Sequence, residues 1–258
     1  MIKQHPTACV SAKAQISDNV EIAPHAYIED NVIIGEGSYI GPNACIYNGA
    51  HIGKNVRVFQ SASISHQPQD LKYANEPSEV FIDDNTTIHE FVTVHRGTSA
   101  TMKTVIGKNV LLMAYAHVAH DCRVGDNVIL ANAVQLGGHV HIDDYTIIGG
   151  VSAVHQFTII GRQAMIGGGC RISQDVPPFI LAAGEPLRYE GLNIIGLRRR
   201  GFTGTEVETI KKVYNILYSK SHNVSQAKAI IAAEYANDKH ANIIMDFLAQ
   251  SKRGIAGK

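Results

Sequence analysis

Seven residues between positions 117 and 156 have the types needed for proton transfer to and from a reacting carbonyl: His117, His120, Asp121, Gly138, His139, His155 and Gln156. A general base wants a histidine and a hydrogen-bond partner that orients it. His120 is followed directly by Asp121. Gly138 can turn a backbone N–H toward a developing oxyanion with no side chain in the way. Intervals of 18 residues separate His120, Gly138 and Gln156, and the same interval separates Asp121, His139 and Phe157. The set would suit acyl transfer without a serine or cysteine nucleophile, the acceptor's hydroxyl or amine attacking directly. A single histidine at a chain corner is usually just solvated; the recurrence at a fixed interval is what points to chemistry.

That interval matters because the chain around it is periodic. From Ile106, every sixth residue is aliphatic: Leu112, Val118, Val124, Leu130, Leu136, Ile142, Ile148, Val154, Ile160, Ile166 and Ile172. Four places after these, Val110, Ala116, Cys122, Val128, Val134, Thr146, Thr158 and Cys170 are small or β-branched. A period of six fits neither a helix nor plain strand alternation. It is the mark of a β-solenoid built of stacked hexapeptides. The same phase runs from Val10 to Ile64 through Ile16, Ile22, Ile28, Ile34, Ile40, Ile46, Ile52 and Val58. Gly35, Gly41, Gly53, Asn19, Asn31, Asn43 and Asn55 fall near the corners, where the left-handed backbone region is wanted. Three hexapeptides make one triangular coil of 18 residues, and coils stack at roughly 4.8 Å. His120, Gly138 and Gln156 would then form one file, with Asp121, His139 and Phe157 beside it, within roughly 10 Å.

The phase fails at 66–79 and again at 96–103, two insertions that in repeat proteins often serve the binding face. Pro177-Pro178 is expected to end the ladder. Beyond Gly184 the spacing turns helical. Thr205-Glu-Val-Glu208 reads as a capping box, followed by Val207, Ile210, Val213, Tyr214 and Leu217. Two more helices are expected over about 224–236 and 239–251. The chain thus divides into a mainly β solenoid, 1–184, and a helical domain, 185–258, that caps one end and shields strand edges.

Composition narrows the function. Lys+Arg 23 against Asp+Glu 23 leaves no basic surplus for nucleic acid. No apolar run is long enough to span a membrane, and Met1 to Val10 shows no leader pattern, so a cytoplasmic location is expected. Cys9, Cys45, Cys122 and Cys170 form no C-x-x-C pair, and Cys122 and Cys170 fall at buried positions.

The chain resembles the hexapeptide acyltransferases. More closely, it resembles the bacterial acyl-[acyl-carrier-protein]–UDP-N-acetylglucosamine O-acyltransferases. The resemblance rests on Gln69-Asp-Leu-Lys-Tyr-Ala-Asn-Glu-Pro77, Val94-His-Arg-Gly-Thr98, Ala119-His-Asp-Cys122, Gly138-His-Val140, His155-Gln-Phe157, Gln174-Asp-Val-Pro-Pro178, Gly191-Leu-Asn-Ile194 and Arg199-Arg-Gly-Phe202. It implies a left-handed parallel β-helix, against the usual right-handed crossover. It implies a homotrimer with its sites between neighbouring solenoids. The implied reaction moves an (R)-3-hydroxyacyl chain from acyl carrier protein to the 3-hydroxyl of UDP-N-acetylglucosamine, the first step of lipid A synthesis. No cofactor or metal is implied beyond the phosphopantetheine arm of the carrier. His120 would be the base, Asp121 its support and Gly138 the oxyanion donor. Asp70, Lys72, His117, His139, His155 and Gln156 would contact the sugar nucleotide or acyl chain. Asn193, Arg199 and Arg200 would meet the nucleotide, where guanidinium suits a diphosphate. Gly168, with Met165, would set the acyl length, the glycine leaving room for a longer chain. Ile195 departs from the family pattern, which is acidic at that place. Apart from the resemblance, Asp70 and Lys72 read as a solvated loop pair, and Arg198 to Arg200 as a basic run able to face an acidic carrier protein.

Three rivals remain at this level. A γ-type zinc carbonic anhydrase shares the solenoid, but its pattern resembles two histidines five apart, and no two of the 13 histidines here have that spacing. An enzyme acylating a 2-amino group resembles a longer chain with an extra N-terminal domain, and here the repeat begins at Val10. A non-catalytic sugar-nucleotide module would not need the file through His120, Gly138 and Gln156. Acylation of a 3-amino sugar-nucleotide analogue is the closest variant of the preferred reaction.

Overall fold

A computed structural model describes residues 1–257. Strands of mostly two residues stack into three sheets of 11, 9 and 8 strands, parallel except for the last strand of the first, and the chain visits the sheets in rotation. Each rung therefore has three flat sides and three corners. Partner residues in neighbouring rungs are 18 apart, as in Val105 with Arg123 and Arg123 with His141. At the first insertion the step widens to 30, Ser63 pairing Thr93; at the second it widens to 24, Thr93 pairing His117. Both insertions loop out without breaking the stack.

The sixfold aliphatics fill the prism. Ile22, Ile28, Ile34, Ile40, Ile46, Ile64, Leu112, Val118, Ile142 and Ile148 are all essentially inaccessible. Each such side chain is worth about 1.5–3 kcal/mol relative to exposure. The residues four places on, among them Val20, Ala26, Val32, Ala44 and Val56, are equally buried. At Ser38 that place is polar and satisfied, its hydroxyl donating to Gly53 O at 2.9 Å and accepting from Val56 N at 3.0 Å, whereas the buried Thr158 hydroxyl at the same place has no partner among the described residues.

Corners use left-handed residues at a regular place, including Asn19, Asn31, Asn43, Asn55, Asp121 and His139. The glycines expected to share that role do something else. Gly35 lies outside the left-handed region, and a Cβ on it would sit 2.6 Å from the Gly53 carbonyl carbon and oxygen. Close approach of successive coils, not turn conformation, requires glycine there.

The ladder does not stop at Pro177-Pro178. Ile180–Ala183 adds a parallel strand beside Met165–Ile166, and Arg188–Leu192 folds back antiparallel on it. Proline just before a strand removes no ladder donor. The sheet thus runs past the boundary expected at residue 184, to Leu192. Four helices follow: α1 Ile194–Arg199, α2 Gly204–Leu217, α3 Val224–Glu234 and α4 Lys239–Gln250. The capping box of α2 is Thr203 with Glu206, one pair earlier than the expected Thr205 with Glu208. Tyr214 of α2 is buried and its hydroxyl donates to Pro178 O at 2.5 Å. The tail is held by buried Asp175, which accepts from Ser251 Oγ at 2.8 Å and Lys252 N at 3.2 Å. Among the described residues no helix is long and apolar enough to cross a membrane.

Candidate active site

The two insertions and the polar file share one corner. Residues 67–78 and 96–102 leave the prism between a second-sheet and a third-sheet strand. His120, Gly138 and Gln156 turn the same corner in the next three rungs. The backbone locks the rungs together there: His139 N donates to His120 O and Phe157 N to Gly138 O, both at 3.0 Å. The 18-residue arithmetic therefore becomes real adjacency. The His120 ring lies directly over Gly138, where a Cβ would be 2.5 Å from Cε1 and 2.6 Å from Nε2. Among the described residues no acceptor takes the Gly138 N–H, so it remains available to a bound group.

His120 Nδ1 is 2.8 Å from Asp121 Oδ2, and the Asp121 side chain is fully buried. Burial alone would push the Asp121 carboxyl up; hydrogen bonds from Thr101, Thr98 and His120 overcome it and hold the group below the usual carboxylate range. An ionised carboxylate only accepts, so His120 donates from Nδ1 and presents the Nε2 lone pair outward. The arrangement can take a proton from an acceptor hydroxyl and return it to a leaving thiolate.

His139 packs edge-on to His120 at 5.1 Å and stacks on Phe157 at 4.5 Å. Burial lowers its pKa, against the opposing pull of Asp121 and the more distant Asp70. His139 and Phe157 also wall a cleft whose other side is Gln250, Lys252 and Arg253 of the C-terminal segment. His117 sits one side away, its Nδ1 2.7 Å from Thr93 Oγ1; burial, then His120, lowers its pKa. His155 bonds to Gln156 O at 3.0 Å, and both residues are exposed. Asp70 closes a turn on Lys72 N at 3.0 Å, leaving the lysine side chain exposed.

The remaining expected site residues lie elsewhere on the prism. Gly168 is at the corner between first and second sheets, and Met165 is on the neighbouring first-sheet face. Asn193 caps α1, accepting from Gly196 N at 3.1 Å and donating to Gln163 O at 2.9 Å. Arg200 donates to Tyr145 O at 3.0 Å and lies over the Tyr145 ring at 5.2 Å, both at the third corner. Arg199 is exposed, as is Ile195. One chain thus distributes the set over three corners. Two groups near His120 were not expected as site residues: buried His95, 4.8 Å from the His117 ring, and the threonines of the second insertion. In the sequence His95 and Thr98 stand inside the Val94-His-Arg-Gly-Thr98 string, and Thr98, Thr101 and Thr104 are evenly spaced through the broken phase and just past it.

His120, Asp121 and His139 form a trio whose nitrogen and oxygen atoms lie within 4.8 Å of one another. The donor set suits a cation poorly. Asp121 Oδ1 already accepts from Thr98 and Thr101, and Oδ2 accepts from Thr98 and faces His120.

Comparison with known proteins identifies the family. Residues 175–256 match a family described as UDP-N-acetylglucosamine O-acyltransferase, domain 2, and residues 13–48 and 103–138 match bacterial transferase hexapeptides. The acyl-[acyl-carrier-protein]–UDP-N-acetylglucosamine O-acyltransferase of Burkholderia orbicola is 46% identical, covering 99% of both chains. That of Paraburkholderia phymatum is 45% identical over the same shares. The solved UDP-N-acetylglucosamine acyltransferase of Francisella novicida superposes with a TM-score of 0.96 at 39% identity, over 100% of this chain and 94% of that one. The Bacteroides fragilis structure gives 0.95 at 44% identity, over 97% and 98%. The expected left-handed parallel β-helix with C-terminal helices is the observed architecture. This chain belongs to the acyl-[acyl-carrier-protein]–UDP-N-acetylglucosamine O-acyltransferase family.

Proposed function

We propose that the protein transfers an (R)-3-hydroxyacyl chain from acyl carrier protein to the 3-hydroxyl of UDP-N-acetylglucosamine, the first step of lipid A biosynthesis. The observation that carries the mechanism is the His120 ring seated on the Gly138 backbone and hydrogen-bonded to Asp121. His120 Nε2 takes the proton of the sugar hydroxyl as its oxygen attacks the thioester carbonyl. The Gly138 N–H faces the resulting oxyanion. Collapse breaks the C–S bond, and the imidazolium returns the proton to the departing phosphopantetheine thiolate. The carrier arm is the only prosthetic group in this scheme.

His117, His139, His155 and Gln156 line the approach to the base, with Asp70 and Lys72 presented by the first insertion. Asn193, Arg199 and Arg200 serve the nucleotide, and Gly168 with Met165 limits the acyl chain. These last groups lie away from the corner of His120. A site using all of them has to be assembled between copies, which supports a homotrimer with clefts between solenoids. The zinc hydratase reading is not favoured, because the Asp121 oxygens are already taken.

The test is a mass-spectrometric assay of UDP-N-acetylglucosamine with a panel of 3-hydroxyacyl carrier proteins, run in parallel with the 3-amino sugar nucleotide. The hydroxyl acceptor is expected to be acylated. His120→Ala is expected to lower the rate by about 10²–10⁴-fold with the oligomer intact. A loss of only about tenfold would remove His120 as the base, and acylation of the amine alone would reassign the acceptor.

A further inference from the structure

The second insertion converges on a single residue. Thr98 donates to Asp121 twice over, from its N–H at 3.1 Å to Oδ1 and from its hydroxyl at 2.7 Å to Oδ2. Thr101 donates its N–H to Oδ1 at 3.2 Å and its hydroxyl to the same oxygen. Thr104, fully buried at the start of the next strand, accepts the Asp121 backbone N–H at 2.9 Å. That bond steadies Asp121 in its left-handed conformation, φ 59°. The insertion is itself braced. Met102 N closes it on Thr98 O at 2.8 Å, and Ser78, at the end of the first insertion, donates to Gly97 O at 2.5 Å.

A solvated loop would not spend its hydroxyls on one buried carboxylate. We propose that Thr98, Thr101 and Thr104 are positioning residues for the acyl-transfer reaction. They form a clamp that fixes the Asp121 carboxylate against His120 Nδ1 and so keeps Nε2 free to accept the substrate proton. The proposal rests on His120 being the base. The clamp works by solvating a negative charge that the protein has removed from water. Without the two hydroxyls, the deprotonated His120–Asp121 pair is less stabilised than its protonated form. The pair then takes up its proton at higher pH. The other titratable groups facing the pair are His139, 3.8 Å from Oδ2, and His117 and His95 beside His120. Asp70 lies beyond His139, and the Cys122 thiol, pushed up to about 12 by burial, follows Asp121. Replacing threonine by valine leaves all of these in place.

The test compares T98V/T101V with T98S/T101S in the full-length protein. The valine pair is expected to move the acid limb of kcat/KM to higher pH by roughly one unit or more, with the rate recovering toward wild type on the alkaline side. The serine pair, which keeps both hydroxyls, is expected to superpose on wild type. Nitrogen NMR of the His120 ring reads the same shift, and the loss of a fixed Nδ1–H tautomer, without any substrate. It therefore separates failure of the clamp from failure of the proposed reaction. Thr101→Val alone, at the more exposed of the two sites, gives a smaller shift in the same direction and decides the matter if the double variant does not fold. A uniform rate loss at every pH with an unmoved ring titration, or valine variants identical to wild type, would overturn the proposal.

Discussion

Gly138→Ala separates catalysis from folding at one atom. Gly138 lies outside the left-handed region, so alanine is allowed by its backbone. The added methyl carbon would stand 2.5 Å from His120 Cε1, where ordinary contact begins at 3.4 Å, so the ring must retreat by about 0.9 Å. The ring is the free end of a side chain and can swing, at the expense of its 2.8 Å bond to Asp121. Folding should hardly notice: removing a glycine restricts the unfolded chain and can add about 0.4–1 kcal/mol of stability. Catalysis should notice strongly, since a misplacement of about 1 Å can cost roughly 10²-fold, or about 2.7 kcal/mol. The expected result is an unchanged or slightly raised melting temperature with kcat/KM down by about two orders of magnitude. Gly35→Ala provides the contrast, because its methyl would meet Gly53 backbone at 2.6 Å, and backbone cannot swing aside. That variant should lose stability. Steady-state kinetics and thermal melts on both variants suffice. A Gly138→Ala enzyme within threefold of wild type would refute the seating of His120 on Gly138 as the catalytic geometry.

Two other expectations concern a buried neighbour of His117 and the Arg199–Arg200 pair. Burial first, then the neighbouring His117 and His66, depresses the His95 pKa to about 4, against a usual value of about 6.5. Between those values the unfolded chain binds a proton that the folded chain refuses, so stability falls as pH drops from about 6.5 to 4. The loss is about 3 kcal/mol at most. His95→Asn should flatten the melting-temperature profile across that window, and an equally steep profile would show that another group carries the acid sensitivity. Arg199 is exposed whereas Arg200 is tied to Tyr145. Arg199→Ala should therefore raise KM for the sugar nucleotide at constant melting temperature. Arg200→Ala should lower the melting temperature by several degrees, a charged hydrogen bond being worth about 1.5–3 kcal/mol. The reverse pattern in kinetics and melts would exchange their roles.

The solenoid was legible because burial imposes it on every sixth residue, and no competing period survives along such a length. The file through His120 and Gly138 was legible by counting, since a uniform rung turns 18 residues of sequence into one strand spacing. What counting could not reach were contacts made by side chains leaving the repeat. Thr98 and Thr101 lie inside an insertion, where no register predicts which residue they meet. The capping box slipped by two because Thr203–Glu206 and Thr205–Glu208 have the same spacing. Asn193 illustrates a different limit. Its amide is engaged at both ends, Oδ1 capping α1 and Nδ2 donating to Gln163 O of the solenoid, so a residue type read for ligand binding already has a structural task.

The position of the chemistry also follows from the architecture. The prism is filled by buried isoleucine, valine and leucine, so reacting groups stand on its outside. An outward corner is the one place where backbone N–H groups turn away from the ladder while the ladder still fixes their height. His120 and Gly138 exploit that, being held in successive rungs by the His139 N to His120 O bond. A corner by itself leaves a carboxylate exposed to water, where it would be a weak orienting partner. The second insertion folds over this corner and buries Asp121 beneath its own hydroxyls. The rigid repeat thus sets the distance between His120 and the Gly138 backbone, and the departure from the repeat supplies the dry, hydrogen-bonded setting in which the proposed base becomes directional.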